Sequence, residues 1–258
     1  MNLGDKIAEG KTKVVYADND DESAAFMYFK DDITAGDGAK HDEYEGTGQL
    51  SWEVNKHFFD VLREVVPTHY LGSPQERYTH VRRLDADVGA VAAEIIVRRV
   101  ATGSYLKTFP ESEEGDWFDT PRVGFYMKND YLHDPKIDVD HLKVLKTKTP
   151  FFDVATEHGV ALFLTLEKKF AEQRYQLMDL KFEEGFVNGK QVVIDDLSPG
   201  SMRVWPYVEG VSEIAPVANV MAQLRRDGMI DKQLYREGHP EELIMARFKQ
   251  FADVTSRF

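Results

Sequence analysis

The fold is decided by Met178-Asp179-Leu180-Lys181-Phe182-Glu183 and the later stretch Gln191-Val192-Val193-Ile194, with Asn188-Gly189 between them. In the first stretch apolar and charged residues alternate, which is the period of two that a β-strand requires. Asn-Gly favours a two-residue turn. The sequence therefore predicts a β-hairpin with one apolar face and one charged face.

The charged face of this hairpin carries groups suited to a magnesium–nucleotide complex. The carboxylates of Glu183 and Asp195 are hard oxygen ligands, and Lys181 supplies a cation for phosphate. A plain two-residue hairpin pairs position 183 with 194, which would place Asp195 on the face opposite Glu183. We therefore predict a β-bulge at Gly185, between Glu184 and the turn, that brings both carboxylates to one face. A solvated hairpin face without a metal is the alternative interpretation.

Composition limits the class of protein. The chain has 258 residues, of which 42% are hydrophobic, enough for a packed core, and it has no cysteine, which excludes disulfides and thiolate metal sites. Its net charge of −13 argues against nucleic-acid binding, which needs a basic surface. Because no export signal and no run of about 18 apolar residues occurs, we expect a cytoplasmic protein without a membrane partner. A homo-oligomer is compatible with the sequence, which does not fix the oligomeric state.

The order of patterns along the chain predicts an α+β fold rather than a parallel doubly wound sheet. Alternating or β-branched segments predict strands at 13–16, 25–29, 78–84 and 93–100, and helical spacing is found at 47–65, at 137–176 with a break near 149–150, and from 214 onward. We divide the chain into a β-rich domain, residues 1–88, and a mixed α+β domain, residues 89–258.

Two further segments have the chemistry of anion sites. The loop Glu9-Gly10-Lys11-Thr12-Lys13 leads into a strand rather than a helix, so it is not a Walker motif but predicts a strand–turn–strand lid with two lysines. The strand ending in Arg98 stops at Thr102-Gly103-Ser104, where a guanidinium and a hydroxyl suit a phosphate or carboxylate. An ordinary basic hairpin and a paired strand arginine are the respective alternatives.

Other polar segments are less specific. Arg203 is a second candidate to bind an anion, or it packs over Trp205 with its charge in solvent. The segment Lys128–Pro135 is dense in polar groups, and its His133 is interpreted as a surface histidine. The sequence has neither a serine–histidine–acid or cysteine nucleophile signature nor the kinase triplets HRD and DFG.

Taken in order, these segments resemble the phosphoribosylaminoimidazole-succinocarboxamide synthase (SAICAR synthetase) family. The resemblance covers nearly the whole chain, through Glu9–Tyr16, Lys30–Lys40, Glu94–Lys107, Lys128–Pro135, Leu177–Gly185, Ile194–Pro206 and Asp231–Arg236. It implies ATP held between a small β-rich N-terminal domain and a larger α+β domain. It also implies a ligase that uses ATP and Mg²⁺ to join L-aspartate to the carboxylate of carboxyaminoimidazole ribonucleotide through an acyl phosphate.

The resemblance also implies roles for individual residues. ATP would be bound by Gly10, Lys11, Lys13 and Lys181, and Mg²⁺ by Glu183 and Asp195. The ribonucleotide would be held by Arg98, Gly103, Ser104 and Arg203. Its imidazole carboxylate would face Lys128 and Asp134. Lys181, Lys128 and Asp134 are the expected catalytic residues. The proton acceptor for the aspartate amine stays open between Asp37 and Asp134.

Several positions depart from the family pattern. Glu184 stands where phenylalanine is usual, and on the apolar face it is expected to escape at the strand end or to tilt the bulge. Ala92 replaces a proline, and Asp196 and Gly200 replace a glutamate and an aspartate. Two alternative functions therefore remain: a diverged paralogue that ligates a different carboxylate or amine, and a non-catalytic nucleotide-binding module.

Overall fold

The computed structural model describes residues 1–36, 38–87, 89–138, 151–207 and 228–258. The first part of the chain forms a five-stranded antiparallel sheet of order β1-β2-β3-β7-β6, a two-stranded ribbon of β4 and β5, and a helix. These elements are β1 (Leu3–Glu9), β2 (Lys13–Asp18), β3 (Ala24–Phe29), β4 (Asp32–Ala35), β5 (Lys40–Glu43), α1 (Thr47–Leu62), β6 (Tyr70–Gln75) and β7 (Tyr78–Arg82).

The rest of the chain builds a six-stranded antiparallel sheet of order β10-β9-β8-β11-β12, in which β13 also pairs with β11. Its elements are β8 (Ala90–Val100), α2 (Ser104–Thr108), β9 (Trp117–Met127), a 3-10 turn (Asp130–Leu132), β10 (Lys136–Ile137), α3 (Phe151–Glu172), β11 (Tyr175–Val187), β12 (Lys190–Ile194), β13 (Met202–Pro206), α4 (Gln233–Glu237) and α5 (Glu241–Thr255). Within the described ranges, no helix has the length and apolar character needed to cross a membrane.

This antiparallel α+β architecture confirms the predicted fold class. The predicted strands are present as β2, β3, β7 and β8, and the first predicted helix is α1. The helix predicted over 137–176 is wrong at both ends, because β10 occupies its first residue and β11 its last two, and residues 139–150 lie outside the described part. Of the helical tail, residues 214–227 are likewise not described, while α4 and α5 follow.

One hydrophobic core joins the second sheet to the helices that cover it. Phe58 on α1 packs edge-to-face against Phe170 on α3 and Phe251 on α5, with ring centroids 6.0 and 6.2 Å apart. Phe182 of β11 points at α3, where Gly159 permits close approach because a Cβ there would lie 3.1 Å from the Phe182 ring. The apolar face of the predicted hairpin is thus buried, and its charged face is left for the opposite side of the sheet.

The hairpin is regular where a bulge was predicted. Pairing of β11 with β12 runs without a shift from Glu183 opposite Ile194 to the turn, so the predicted bulge in this ladder is wrong. The irregularity lies on the other edge of β11, where the register with β8 shifts between Glu183 and Gly185. There Gly185 is required by close packing, since a Cβ would lie 2.8 Å from the carbonyl oxygen of Gly89.

Asp195 changes direction through its own backbone. Its φ of +62° is a left-handed conformation that non-glycine residues rarely adopt. The buried His69 ring lies against it, with Nε2 3.2 Å from the Asp195 carbonyl oxygen. A local turn after β12, rather than a bulge within the hairpin, therefore directs this carboxylate.

Glu184 does not escape at the strand end as expected. It is fully buried on the apolar side of β11, where its carboxylate lies 2.8 Å from Nδ1 of His158 on α3 and accepts a hydrogen bond from the Gln191 side-chain amide. A buried carboxylate is tolerated only when its oxygens have such partners. Glu184, His158 and Gln191 thus form a polar network that connects α3 to the hairpin.

Replacing Glu184 by alanine is expected to lower the free energy of unfolding by about 3 kcal/mol, because the half-buried side chains of His158 and Gln191 would lose the carboxylate that they share. Equilibrium urea unfolding measures the change. Glu172→Ala, at an exposed position near the end of α3, is the control and should stay within about 0.5 kcal/mol of the unchanged protein. Equal stabilities for the two variants would contradict the structural role of Glu184.

Candidate active site

Carboxylates and lysines from four segments meet at the end of the hairpin. The Lys128 ammonium, just after β9, lies 2.7 and 2.8 Å from the two carboxylate oxygens of Glu183. The Lys13 ammonium, from β2 of the first sheet, lies 3.0 Å from Asp195 and also donates to Asp196. Both predicted metal carboxylates therefore sit in one cluster, each beside a lysine.

The electrostatics of this cluster follow from burial and mutual repulsion. Burial, followed by the nearby Asp195 carboxylate, raises the pKa of Glu183 despite the ion pair with Lys128. For Asp196 burial acts in the same direction, but the Lys13 ammonium outweighs it and lowers the pKa. Glu183 and Asp195 are thus close enough to repel each other.

This carboxylate pair fits a magnesium ion shared with a ligand. A divalent cation bound between Glu183 and Asp195 would relieve the repulsion between these two carboxylates. Mg²⁺ is commonly held by one or two carboxylates together with substrate phosphates, rather than by an all-protein cage. The described residues contain no cluster of three or more potential metal-binding side chains.

The predicted lid has the expected strand–turn–strand form. The Gly10 amide donates to the Lys13 carbonyl oxygen at 2.8 Å, which closes a tight turn between β1 and β2. From this turn Lys13 reaches the carboxylate cluster, while Lys11 extends toward Gly38 and lines the adjoining cavity. The two lysines thus face two neighbouring regions of the same cleft.

The adjoining cavity has a volume of about 380 Å³. Its described lining includes six basic side chains and three carboxylates: Lys11, Arg98, Lys181, Arg203, Lys232 and Arg236, with Glu94, Asp134 and Asp179. A local excess of positive charge in a protein of net charge −13 favours anionic ligands.

Two arginines share one buried carboxylate in the cavity wall. Arg98 and Arg203 both donate to the same oxygen of Asp179, and Arg98 also donates to the Ser104 hydroxyl at 2.9 Å. Gly103 lies so close to Arg203 that a Cβ there would be 2.7 Å from the guanidinium carbon. The structure therefore brings together the four residues predicted to hold a ribonucleotide, and it holds their charges in fixed positions.

The remaining predicted residues are also anchored near this wall. The Lys181 ammonium lies 2.6 Å from Glu94 of β8. Asp134, in a left-handed conformation, accepts a hydrogen bond from the Asn129 amide at 2.7 Å and lines the cavity. His133 is exposed, as interpreted from the sequence, and Asp37 lies outside the described residues.

Sequence reasoning assigned no role to three residues of the cavity wall, Asp179, Lys232 and Arg236. Asp179 belonged to the charged face predicted by the period of two, so that pattern could have identified it. Burial, followed by repulsion from Arg236 and Lys181, lowers the pKa of Lys232 to about 7. No local pattern in the sequence signals a lysine of this kind, because its neighbours come from distant segments.

Comparison with known proteins agrees with this arrangement. The model of the SAICAR synthetase family matches residues 6–245. The phosphoribosylaminoimidazole-succinocarboxamide synthases of Herpetosiphon aurantiacus and Sulfurisphaera tokodaii are 36% and 34% identical to the chain, covering 100% and 95% of it and 100% and 96% of the relatives. A solved SAICAR synthetase in complex with ADP is similar over 96% of this chain and 97% of its own, with a TM-score of 0.80 and 30% identity.

Replacing Gly103 by alanine is expected to weaken binding of a sugar phosphate about tenfold, because the new methyl group would displace the Arg203 guanidinium. Isothermal titration calorimetry measures the dissociation constant. Gly189→Ala is the matched control, since Gly189 also has positive φ but has no heavy atom within 4 Å of a new Cβ. Equal affinity in both variants would mean that Arg203 does not bind the phosphate.

Proposed function

The chain belongs to the SAICAR synthetase family of ATP-dependent ligases, and we propose that it joins L-aspartate to the carboxylate of carboxyaminoimidazole ribonucleotide in purine biosynthesis. A carboxylate is a poor electrophile toward an amine. Transfer of the γ-phosphoryl group of ATP to it gives an acyl phosphate, and attack by the aspartate amine then forms the amide and releases phosphate. Positioning and charge neutralisation supply most of the catalysis in such a reaction.

The main observation in support of this proposal is that two regions of different chemistry lie side by side. A cluster of paired carboxylates and lysines, suited to a metal–phosphate group, borders a cavity whose cations suit a second anionic ligand. Phosphoryl transfer between two bound anions needs this arrangement, since both must be neutralised while their reacting atoms approach.

The residue roles follow from these positions. The lid residues Gly10, Lys11 and Lys13 bind the ATP phosphates, with Lys181 beside them. A magnesium ion held by Glu183 and Asp195 would neutralise charge on the transferring phosphoryl group. In functional terms, residues 1–88 form the nucleotide lid and residues 89–258 carry the metal and substrate sites.

The cavity wall takes the ribonucleotide. Arg98, Ser104 and Arg203 bind its phosphate, with Gly103 giving the space that Arg203 needs. The two other catalytic candidates, Lys128 and Asp134, face the imidazole carboxylate from the segment after β9, where Lys128 also neutralises Glu183.

A diverged substrate is not favoured by the positions of the departures. Glu184 is buried on the side of β11 that packs against α3, and it does not line the cavity. Gly200 does line it, so any effect on substrate choice would come from that position. A non-catalytic nucleotide-binding module is not favoured either, because the lysines and carboxylates of the site are all in place. We assign the reaction to the cytoplasm, with small-molecule substrates and no nucleic-acid partner.

Release of ADP should require ATP, Mg²⁺, carboxyaminoimidazole ribonucleotide and L-aspartate together. The rate is measured by a coupled assay in which each component is omitted in turn, and mass spectrometry identifies the succinocarboxamide product. Turnover with a different amine in place of aspartate, and none with aspartate, would favour the diverged paralogue. Binding of ATP without any turnover would favour the non-catalytic module.

Asp195→Asn and Glu183→Gln are expected to raise the Mg²⁺ concentration needed for half-maximal rate about tenfold or more, because each removes one carboxylate of the proposed metal pair. Electron paramagnetic resonance with Mn²⁺ and ADP measures metal binding without turnover. Glu172→Gln serves as the control at an exposed position. Unchanged Mn²⁺ affinity in both site variants would contradict the assignment of the metal ligands.

A further inference from the structure

Lys232 stands apart from the other basic side chains of the cavity because its amine has no hydrogen bond or ion pair among the described residues. Of the others, Lys181, Arg98 and Arg203 each contact a carboxylate, and the Arg236 guanidinium donates to the Gln233 side chain at 3.3 Å. The described part of the chain offers the Lys232 side chain no ion pair and no hydrogen bond, although it borders the cavity. Its amine is therefore available to a ligand.

The charges around Lys232 favour its neutral form. Arg236 on α4, Lys181 on β11 and Lys13 on β2 all repel an ammonium there, and Lys11, Arg98 and Arg203 border the same cavity. The attractive neighbour, Asp196, is already bound by Lys13, while Glu94, Asp134 and Asp179 are engaged by Lys181, by a backbone amide and by the two arginines. Together with burial, this accords with the low pKa of the amine.

Gly200 keeps the amine open to the cavity. A Cβ at this position would lie 3.3 Å from the Lys232 Nζ, so a larger side chain would contact the amine directly. An aspartate at this position would place a carboxylate beside Lys232 and stabilise its ammonium form. Glycine therefore leaves the amine accessible and adds no carboxylate beside it.

The proposed reaction needs a group of this kind. The α-amine of aspartate is an ammonium at neutral pH and has no lone pair for attack until it loses a proton. Lys181, Arg98 and Arg203 contact carboxylates, and the cavity carboxylates have partners of their own.

We propose that Lys232 is the catalytic base that takes the first proton from the α-ammonium of L-aspartate, an inference that rests on the ligase function proposed above. The neutral lysine amine accepts one proton and becomes an ammonium. The free lone pair of aspartate then forms the C–N bond, the bond from the acyl carbon to the phosphate oxygen breaks, and the departing phosphate takes the second proton from nitrogen.

Arrival of the anionic substrates would strengthen this base. Each phosphate or carboxylate that enters the cavity offsets part of the repulsion from the surrounding cations, which raises the proton affinity of Lys232. In the free protein the amine is available in its neutral form, and in the loaded cavity it holds a proton more strongly. Proton transfer from aspartate to Lys232 is therefore favoured when the reactants are assembled.

The first test compares Lys232→Arg with Lys232→Gln. Arginine keeps the positive charge but cannot act as a base near neutral pH. Both variants are expected to lose about 100-fold or more in kcat with aspartate. Both should still form a hydroxamate when hydroxylamine attacks the acyl phosphate, because hydroxylamine is largely neutral at pH 7 and needs no base.

Full activity of Lys232→Arg with aspartate would overturn the proposal in favour of simple anion binding. Loss of hydroxamate formation in both variants would also overturn it.

The second test uses Gly200→Asp, which places a carboxylate beside Lys232. Because the base acts in its deprotonated form, kcat rises with pH through its pKa, and a neighbouring carboxylate that raises the pKa should move this acid limb to higher pH. The hydroxylamine reaction should not show the shift. An acid limb that stays in place for aspartate would overturn the proposal. If the unchanged protein does not release ADP with all its substrates, the ligase function itself is refuted. This outcome is distinct from one that overturns only the role of Lys232.

Discussion

Opposite charge beside Asp179, Lys181 and Glu183 of β11 is the interaction on which the site depends. Asp179 is bound by Arg98 and Arg203, Lys181 by Glu94, and Glu183 by Lys128. A strand face of isolated charges could not be buried, because each would lose its hydration without compensation. Pairing across neighbouring strands makes burial possible, and it fixes the cations where ligands can reach them.

The same strand connects this charged face to the hydrophobic core. Leu180 and Phe182, which alternate with the three charged residues, lie in the core that includes residues of α3, so the period of two that buries Phe182 also directs Lys181 into the cleft. A shift of one residue in register would exchange the two faces. Packing of the core and placement of the site are therefore one constraint, and the Glu184 network adds a second connection between β11 and α3.

Local patterns predicted the parts of the structure that depend on local sequence. The hairpin, its turn and the lysine lid were predictable because alternation and turn chemistry act over a few residues. The left-handed conformation of Asp195 was not predictable, since the His69 ring that lies against it comes from a distant segment. For the same reason the sequence did not reveal the burial of Glu184 or the cationic surroundings of Lys232, which depend on contacts between distant segments.

The contacts of Lys13 bear on how a nucleotide and a metal would bind. Its ammonium connects the first sheet to Asp195 and Asp196 of the second, and these ion pairs raise the pKa of Lys13 despite its burial. A phosphate entering the cleft would compete with both carboxylates for this lysine, which opposes binding. A cation bound by Asp195 would remove that competition. Asp195 would then bind the metal instead of Lys13, and Lys13 would bind the phosphate instead of Asp195. Nucleotide and metal are therefore expected to bind as a unit, with the lid held by Lys13 in both states.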